Sequence, residues 1–406
     1  MDTETANSGP MPSDCWHDHV DLFAPELAVP LYETLKEMRG QCPVARSDQH
    51  DGFWVVTRYE DVMTVAQDWA TFSSAHGLSV TKAPTVVRNL PVEADPPEQR
   101  IFKRLINPYF TPAAVAAFEA ATRKLVTRLI DNFIEVGSCE FMADFARPFP
   151  SRAFFEFAIN APAEDIDRVA YLASKSSTPK DPEAAQCWLG LYHWIKEFAA
   201  ARRQQPPRGD VVDAILAAEI DGRPITEDEI VGTVQLIILG GLETTASALG
   251  LMLYRFCRQP EIPALLRSRP ELLPAAIEEL LRLDGPFIAI ARTAVRDGRI
   301  ADQPVQSGDK VLLYWASANR DDAEFPHPDE FDIDRERNRH LAFGVGPHRC
   351  AGSNLARLNL RVALEELLAR LRDVALPDGF EIDYHSTLTR SPLTLPLTFT
   401  PGARRL

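Results

Sequence analysis

The sequence predicts a mainly α-helical fold with small β-sheets. Three observations carry that reading. Helical periodicity dominates from Pro112 to Arg282, an amphipathic helix runs from Ser353 to Leu371, and β-type patterns are confined to short stretches toward the chain ends. The chain has 406 residues and is 45% hydrophobic, enough for a large core. A net charge of -15 argues against a nucleic-acid partner and mainly serves solubility.

In chain order, residues Val29 to Arg39 read as a helix, Phe53 to Thr57 as a strand and Tyr59 to Trp69 as a second helix. Ser73 to Glu93 is an irregular loop, longer than most connections, and such loops are often functional. Pro96-Pro97 opens the next helix, where a missing N–H costs nothing. Thr178 to Pro182 breaks the helical run, and Gln205-Pro206-Pro207-Arg208-Gly209 ends the helix that follows. A long helix is expected from about Thr226 to Cys257, with a capping-box spacing at Thr226 and Glu229. Val311 to Tyr314 is a strand, and β-type patterns return after Pro377.

Six cysteines (Cys15, Cys42, Cys139, Cys187, Cys257 and Cys350) are scattered without CxxC pairs. That spacing argues against a zinc site, an iron–sulfur cluster or a disulfide framework, and suits a reducing, cytoplasmic compartment. Met1 to Asp21 is polar, with neither a secretory signal nor a membrane anchor expected, and 1–28 is expected to be loosely ordered.

One cysteine stands apart. Phe343-Gly344-Val345-Gly346-Pro347-His348-Arg349-Cys350-Ala351-Gly352 places Cys350 on a glycine-punctuated loop that runs into a helix. Helix N–H groups and the positive end of the dipole stabilise a thiolate there. The glycines let backbone approach a large flat partner, and Phe343 can lie against its face. These are the requirements of a cysteine that ligates haem iron.

Gly240-Gly241-Leu242-Glu243-Thr244-Thr245 lies inside the long helix. Two adjacent interior glycines cost about 1 kcal/mol each relative to alanine, so a packing or functional need is expected. That need is either a flat group pressed against the backbone or a local opening of the helix that holds water. An acid followed by an alcohol at such a break can relay protons. Glu279-Leu280-Leu281-Arg282 puts an acid and a base on one helix face.

The pattern Phe-x-x-Gly-x-x-x-Cys-x-Gly resembles the haem-binding loop of the cytochrome P-450 family. The resemblance covers the chain from about Val29 to the end. It implies one domain, 1–406, with a triangular helical body and haem b between the long central helix and the cysteine-loop helix. Cys350 is then the iron ligand. Gly240, Phe343, Gly346 and Gly352 contact the haem, and Gln99, Lys103, Arg292 and His348 match its propionate donors. Many relatives carry His and Arg where this chain has Gln99 and Lys103. Glu243 and Thr244 match the acid–threonine pair that delivers protons, with Glu in place of the commoner Asp. Glu279 and Arg282 match a buried structural pair that ties to the segment before the cysteine loop through Arg335.

The resemblance further implies a monooxygenase acting with O2 and two electrons from NAD(P)H, delivered by a reductase and a ferredoxin. A monomer is expected. Arg100, Lys103, Arg104, Arg337, Arg339 and Arg349 fall on the cysteine side, where they would attract an acidic ferredoxin. Substrate-pocket positions are Val86, Val87 and Leu90 in the long loop, Leu236 and Leu239 on the central helix, Phe287, Ile288, Ala289 and Ile290 after the Glu-x-x-Arg helix, and Leu388 or Leu393 near the end. All are apolar, so a compact apolar substrate follows, a terpenoid or alkyl-aromatic. Asp95 to Arg100 and Phe145 to Pro150 look nearest to the camphor hydroxylase branch, although Ser79 to Pro91 lacks the tyrosine with which that branch binds a ketone. Two other classes share the haem: a peroxide-driven peroxygenase, whose members lack the acid–alcohol pair, and a haem-binding sensor, which has no need for it.

Overall fold

The computed structural model describes residues 21, 24–81, 87–176 and 182–406. Most of 1–28, residues 178–181 of the expected break, and Val86 lie outside the described residues. Seven helices position the site: α1 (Glu98–Ile106), α2 (Glu119–Asp131), α3 (Ile166–Ser176), α4 (Ala184–Arg203), α5 (Glu227–Arg258), α6 (Leu273–Asp284) and α7 (Ser353–Arg370).

The central element is α5. Its start is held by the capping box that the sequence predicts: Glu229 N–H donates to Thr226 Oγ1 at 3.3 Å, and Thr226 N–H donates to Glu229 Oε2 at 2.8 Å. The helix is apolar nearly all round because it packs on both sides. Leu249, Met252 and Leu253 join α2, α6 and α7 in one core, while Ile230, Val231, Val234 and Ile238 join α1, α3 and α4 in another. Among the described residues it is the one helix long and apolar enough to cross a membrane, and 67% of its most apolar window is buried inside the protein.

Five short strands form the main sheet: β1 (Val44–Ser47), β2 (Phe53–Val56), β3 (Phe72–Ser73), β4 (Ala289–Ala294) and β5 (Lys310–Tyr314). Their order is β1-β2-β5-β4-β3, with β2 and β5 parallel and the other pairs antiparallel. Strands read from stretches far apart in the sequence therefore share one sheet, with Phe53 opposite Lys310. A parallel pair has no hairpin signal, since it is joined by a long crossover rather than a tight turn. The C-terminal stretch adds a hairpin, Tyr384–Ser386 with Arg390–Pro392, that packs on α5 at Gly250.

Glu279 and Arg282 on α6 form a bidentate pair at 2.7 and 2.8 Å, both about 1% exposed. Arg335 Nε approaches both Glu279 oxygens at 3.2 Å, and Asp332 N–H and Asn338 Nδ2 donate to the same carboxylate at 3.1 Å. Arg282 also donates to the carbonyls of Asn319, Pro328 and Glu330. The irregular segment before the cysteine loop is thus tied to α6 by charge-assisted bonds. Glu279→Ala strands two buried guanidinium groups, so we expect a loss of about 3–5 kcal/mol in urea denaturation.

Candidate active site

The cysteine loop folds back on itself before α7. Cys350 N–H donates to Phe343 O at 2.8 Å, and Arg349 N–H donates to Gly346 O at 3.2 Å. Gly344 (φ 64°) and Gly346 (φ 68°) adopt the left-handed conformation that makes this turn possible. A Cβ at Gly346 would lie in van der Waals contact with the Ala66 carbonyl and Gln67, at 3.4 Å from each.

The Cys350 thiol is bared to a cavity of about 1410 Å³ and surrounded by protein otherwise. Burial raises its proton affinity, while the Gly352 N–H and the charges of Lys103, Arg349 and Arg357 lower it. The other cysteines differ: burial pushes Cys139 up to about 12 and Cys257 up to about 11, with no cation opposing it.

Across the cavity from the loop lies α5. Gly240 borders open space, where an added side chain would project into the cavity. Gly241 has a packing reason, because a Cβ there would sit 2.8 Å from the Phe154 ring. Of the two needs weighed for the glycine pair, the local helix opening is not present. The helix is continuous, and Thr244 Oγ1 donates to Gly240 O at 2.9 Å. Glu243 and Thr244 both line the cavity, and Ser247 Oγ lies 3.4 Å from Glu243 Oε1. The sequence reading missed His385, which lines the same cavity from the C-terminal hairpin and feels the Glu243 charge. Nothing in the sequence links residues 142 positions apart.

Arg292 points from β4 into the cavity and is 2% exposed, yet among the described residues it has no carboxylate partner within ion-pair distance. Its one side-chain bond goes to the carbonyl of its own neighbour, Ala291, at 2.9 Å. Burial drives its pKa down to about 10, opposed only by Asp95. His348 Nε2 lies 3.3 Å from Ser74 Oγ, and burial with the nearby Arg292 charge lowers its pKa to about 4. Gln99 Nε2 and Lys103 Nζ both donate to Pro347 O, at 2.5 and 2.6 Å, and Lys103 also donates to Arg349 O at 2.7 Å. These two side chains therefore hold the cysteine loop, and Lys103 keeps one N–H uncommitted.

Leu236, Leu239, Phe287, Ile290, Leu388 and Leu393 line the cavity. Four expected pocket residues, Val87, Leu90, Ile288 and Ala289, do not. Val87 and Leu90 turn away into the core formed with Val231 and Val234 of α5, and Ile288 packs behind the sheet on Leu31 and Leu35. Their neighbours face inward instead: Arg88, Asn89, Val92 and Glu93 from the loop, and Ile290 and Arg292 from β4. The strand alternation reverses at each residue, so a one-position offset exchanges wall for core. Ala289 likewise belongs to the core behind the sheet. The cavity is consequently not wholly apolar.

Asn89 and Glu93 belong to a buried polar cluster. Glu93 Oε2 accepts from Asn89 N–H at 2.6 Å and from Asn89 Nδ2 at 3.0 Å, and Gln235 Nε2 on α5 donates to Asn89 Oδ1 at 2.9 Å. Nearby, a side chain on Gly232 would overlap the Arg88 carbonyl oxygen.

The family model of cytochrome P-450 matches residues 190–268 and 266–393. The nocardicin C N-oxygenase of Nocardia uniformis subsp. tsuyamanensis is 34% identical over 394 residues, which is 93% of this chain and 98% of that protein. The steroid C26-monooxygenase of Mycolicibacterium smegmatis is 31% identical over 91% of this chain and 93% of that one. A Mycobacterium marinum cytochrome P-450 solved with pseudoionone superposes with a TM-score of 0.87 at 26% identity, covering 97% of this chain and all of that one.

The residues present fit the haem b that this family carries. The thiol faces a cavity framed by Phe343 and Gly240, and the buried, unpaired Arg292 guanidinium awaits an anion such as a propionate. The chain belongs to the cytochrome P-450 family, the haem-thiolate monooxygenases, and Cys350 is its haem-iron ligand.

Proposed function

We propose that this chain, working as one domain and as a monomer, hydroxylates a compact apolar substrate, a terpenoid or alkyl-aromatic. The observation that carries this reading is the wall above the thiol, where Leu236, Leu239, Phe287, Ile290 and Leu388 offer apolar surface. Burial against such a wall favours binding by roughly 25 cal/mol per Å² of apolar area. The pseudoionone held by one structural relative is of this kind. Relatives named for nocardicin and for a steroid show how widely the family's substrates vary. The monomer is supported by large exposed apolar side chains that are scattered through the sequence, such as Val136, Tyr171 and Val295.

Haem bound through a thiolate supplies the activation of dioxygen, one atom of which enters the substrate while the other leaves as water. The chain's own residues position the reactants and move protons. Arg292 and His348 would hold the propionates, and Lys103 keeps an N–H available to assist them. Gln99 and Lys103 fix the loop that carries Cys350. Glu243 passes a proton toward Thr244, whose hydroxyl swings from Gly240 O to donate it. His385 and Ser247 keep Glu243 supplied and oriented. The acid–alcohol pair favours an O2-driven monooxygenase over a peroxide-driven enzyme or a sensor.

Two electrons come from NAD(P)H through a reductase and a ferredoxin in the cytoplasm. Arg100, Arg104, Arg337 and Arg349 are exposed and offer an acidic ferredoxin its landing surface. Arg339 is neutralised by Glu324 at 2.8 Å and contributes little.

The carbon monoxide difference spectrum of the reduced protein should show a red-shifted thiolate band that disappears in Cys350→His. Retention of that band in the variant would overturn the ligand assignment. Thr244→Ala should divert most NAD(P)H consumption into hydrogen peroxide, read as product formed per NAD(P)H consumed; unchanged coupling would exclude the hydroxyl from proton delivery. Reversing Arg104 and Arg349 to Glu should slow ferredoxin-dependent reduction about tenfold or more at low ionic strength, with the difference closing as salt is added. Equal rates at low salt would move the landing surface elsewhere.

A further inference from the structure

Glu278 and Glu279 are adjacent on α6 but serve different parts of the protein. Glu279 holds Arg282 and Arg335, as described above. Glu278 reaches α7, where it accepts from Arg357 Nε and Nη2, both at 2.7 Å, in a bidentate pair. The same carboxylate meets His340 Nε2 at 3.1 Å. Ala342 N–H donates to His340 Nδ1 at 3.2 Å, so Nδ1 is the acceptor and the ring proton sits on Nε2, directed at Glu278. His340 is then neutral, and the cluster contains one anion and one cation.

The held guanidinium belongs to a side chain about 31% exposed, and its inner face lies against the cysteine loop. Its carbon lies 4.4 Å from the centroid of the Phe343 ring, within the range of a cation–π contact. Phe343 is the residue whose carbonyl accepts the Cys350 N–H at 2.8 Å, and its ring borders the cavity. Arg357 thus touches the cysteine loop through Phe343 while staying close enough to Cys350 that the two charges stabilise one another.

We propose that the Glu278–Arg357 pair is a positioning device for the cysteine loop, which fixes the Phe343 ring and sets the electrostatic field at the Cys350 thiolate. The arrangement is asymmetric. The cation lies against the loop, and the anion sits behind it on α6. Adding one electron to the haem iron makes the site more negative without forming or breaking a bond, and a cation held nearby favours that state. Glu278 moderates the effect, because its charge opposes that of Arg357 from farther away. The pair acts through Phe343 and the field, so neither residue is catalytic in its own right. The inference rests on Cys350 as the haem ligand.

The test is the midpoint potential of the haem-loaded, full-length protein, titrated with dithionite in the presence of mediator dyes. Arg357→Gln should shift the reduction equilibrium toward the ferric form by about threefold or more, roughly 28 mV downward at 59 mV per tenfold for one electron. Glu278→Gln, which removes the moderating anion, should shift it upward. Arg357→Lys keeps the charge but loses the planar fork, and should restore most of the potential while its thermal midpoint falls. Haem content and the carbon monoxide spectrum of each variant report whether the loop is intact. Opposite shifts in the two glutamine variants with a thiolate-type spectrum support the proposal. Shifts in the same direction, or none in either, overturn it, as does a Lys variant that behaves like Gln. Loss of haem from Arg357→Gln alone leaves Glu278→Gln and Arg357→Lys to decide. A wild-type protein without a thiolate-type spectrum would instead remove the ligand assignment itself, a separable result.

Discussion

A carboxylate shut away from water must be surrounded by donors, and Glu279 gathers its donors from two distant parts of the chain. Arg282 comes from its own helix, while Asp332, Arg335 and Asn338 come from a segment with no regular structure. That segment has little local propensity to hold its shape. It is ordered because leaving either guanidinium unpaired in the interior costs several kcal/mol. The order then passes on. Arg282 also binds the Asn319 carbonyl, and the Asn319 side chain accepts the Leu341 N–H at 2.6 Å, two residues before Phe343. The position of the thiol thus traces back, bond by bond, to one buried acid on α6.

Around the thiol, opposing effects are balanced rather than maximised. Burial disfavours a charged sulfur, while the Gly352 N–H and three basic side chains favour it. This happens in a protein whose overall charge is -15, so the basic residues near the loop are a local departure from the whole. Arg292 is the complementary case. It is a buried cation with no carboxylate partner among the described residues, held only by the Ala291 carbonyl, and a bound anionic group would complete it.

The parts of this architecture that were readable beforehand are those written in neighbouring residues. The capping box at Thr226 and Glu229, the helix-borne pair Glu279 and Arg282, and the glycine-punctuated run to Cys350 all depend on spacings of a few positions. What escaped depends on long-range geometry. The parallel pairing of Phe53–Val56 with Lys310–Leu313 brings together strands more than 250 residues apart. His385 comes within reach of the Glu243 charge, and Arg357 meets Glu278, only once the hairpin and helices have packed. The misplaced wall residues Val87, Leu90 and Ile288 show another limit. In extended chain the facing side changes with every residue, so knowing which segment borders the cavity does not say which residues do.

The contact between the long loop and α5 divides the pocket into two kinds of wall. At Gly232 the loop backbone lies so close that no side chain fits, and the Gln235–Asn89–Glu93 chain of hydrogen bonds fastens the loop one turn further along. Substitutions there disturb how the two segments seat on one another. Next along the helix, Leu236, Leu239 and, across the cavity, Phe287 line the open volume and take no part in that hydrogen-bonded seat. A lineage could therefore enlarge, shrink or reshape the space above the haem through those positions alone, keeping the docked loop unchanged. The acquisition of new substrates is in that sense built into the way one glycine lets two backbones touch.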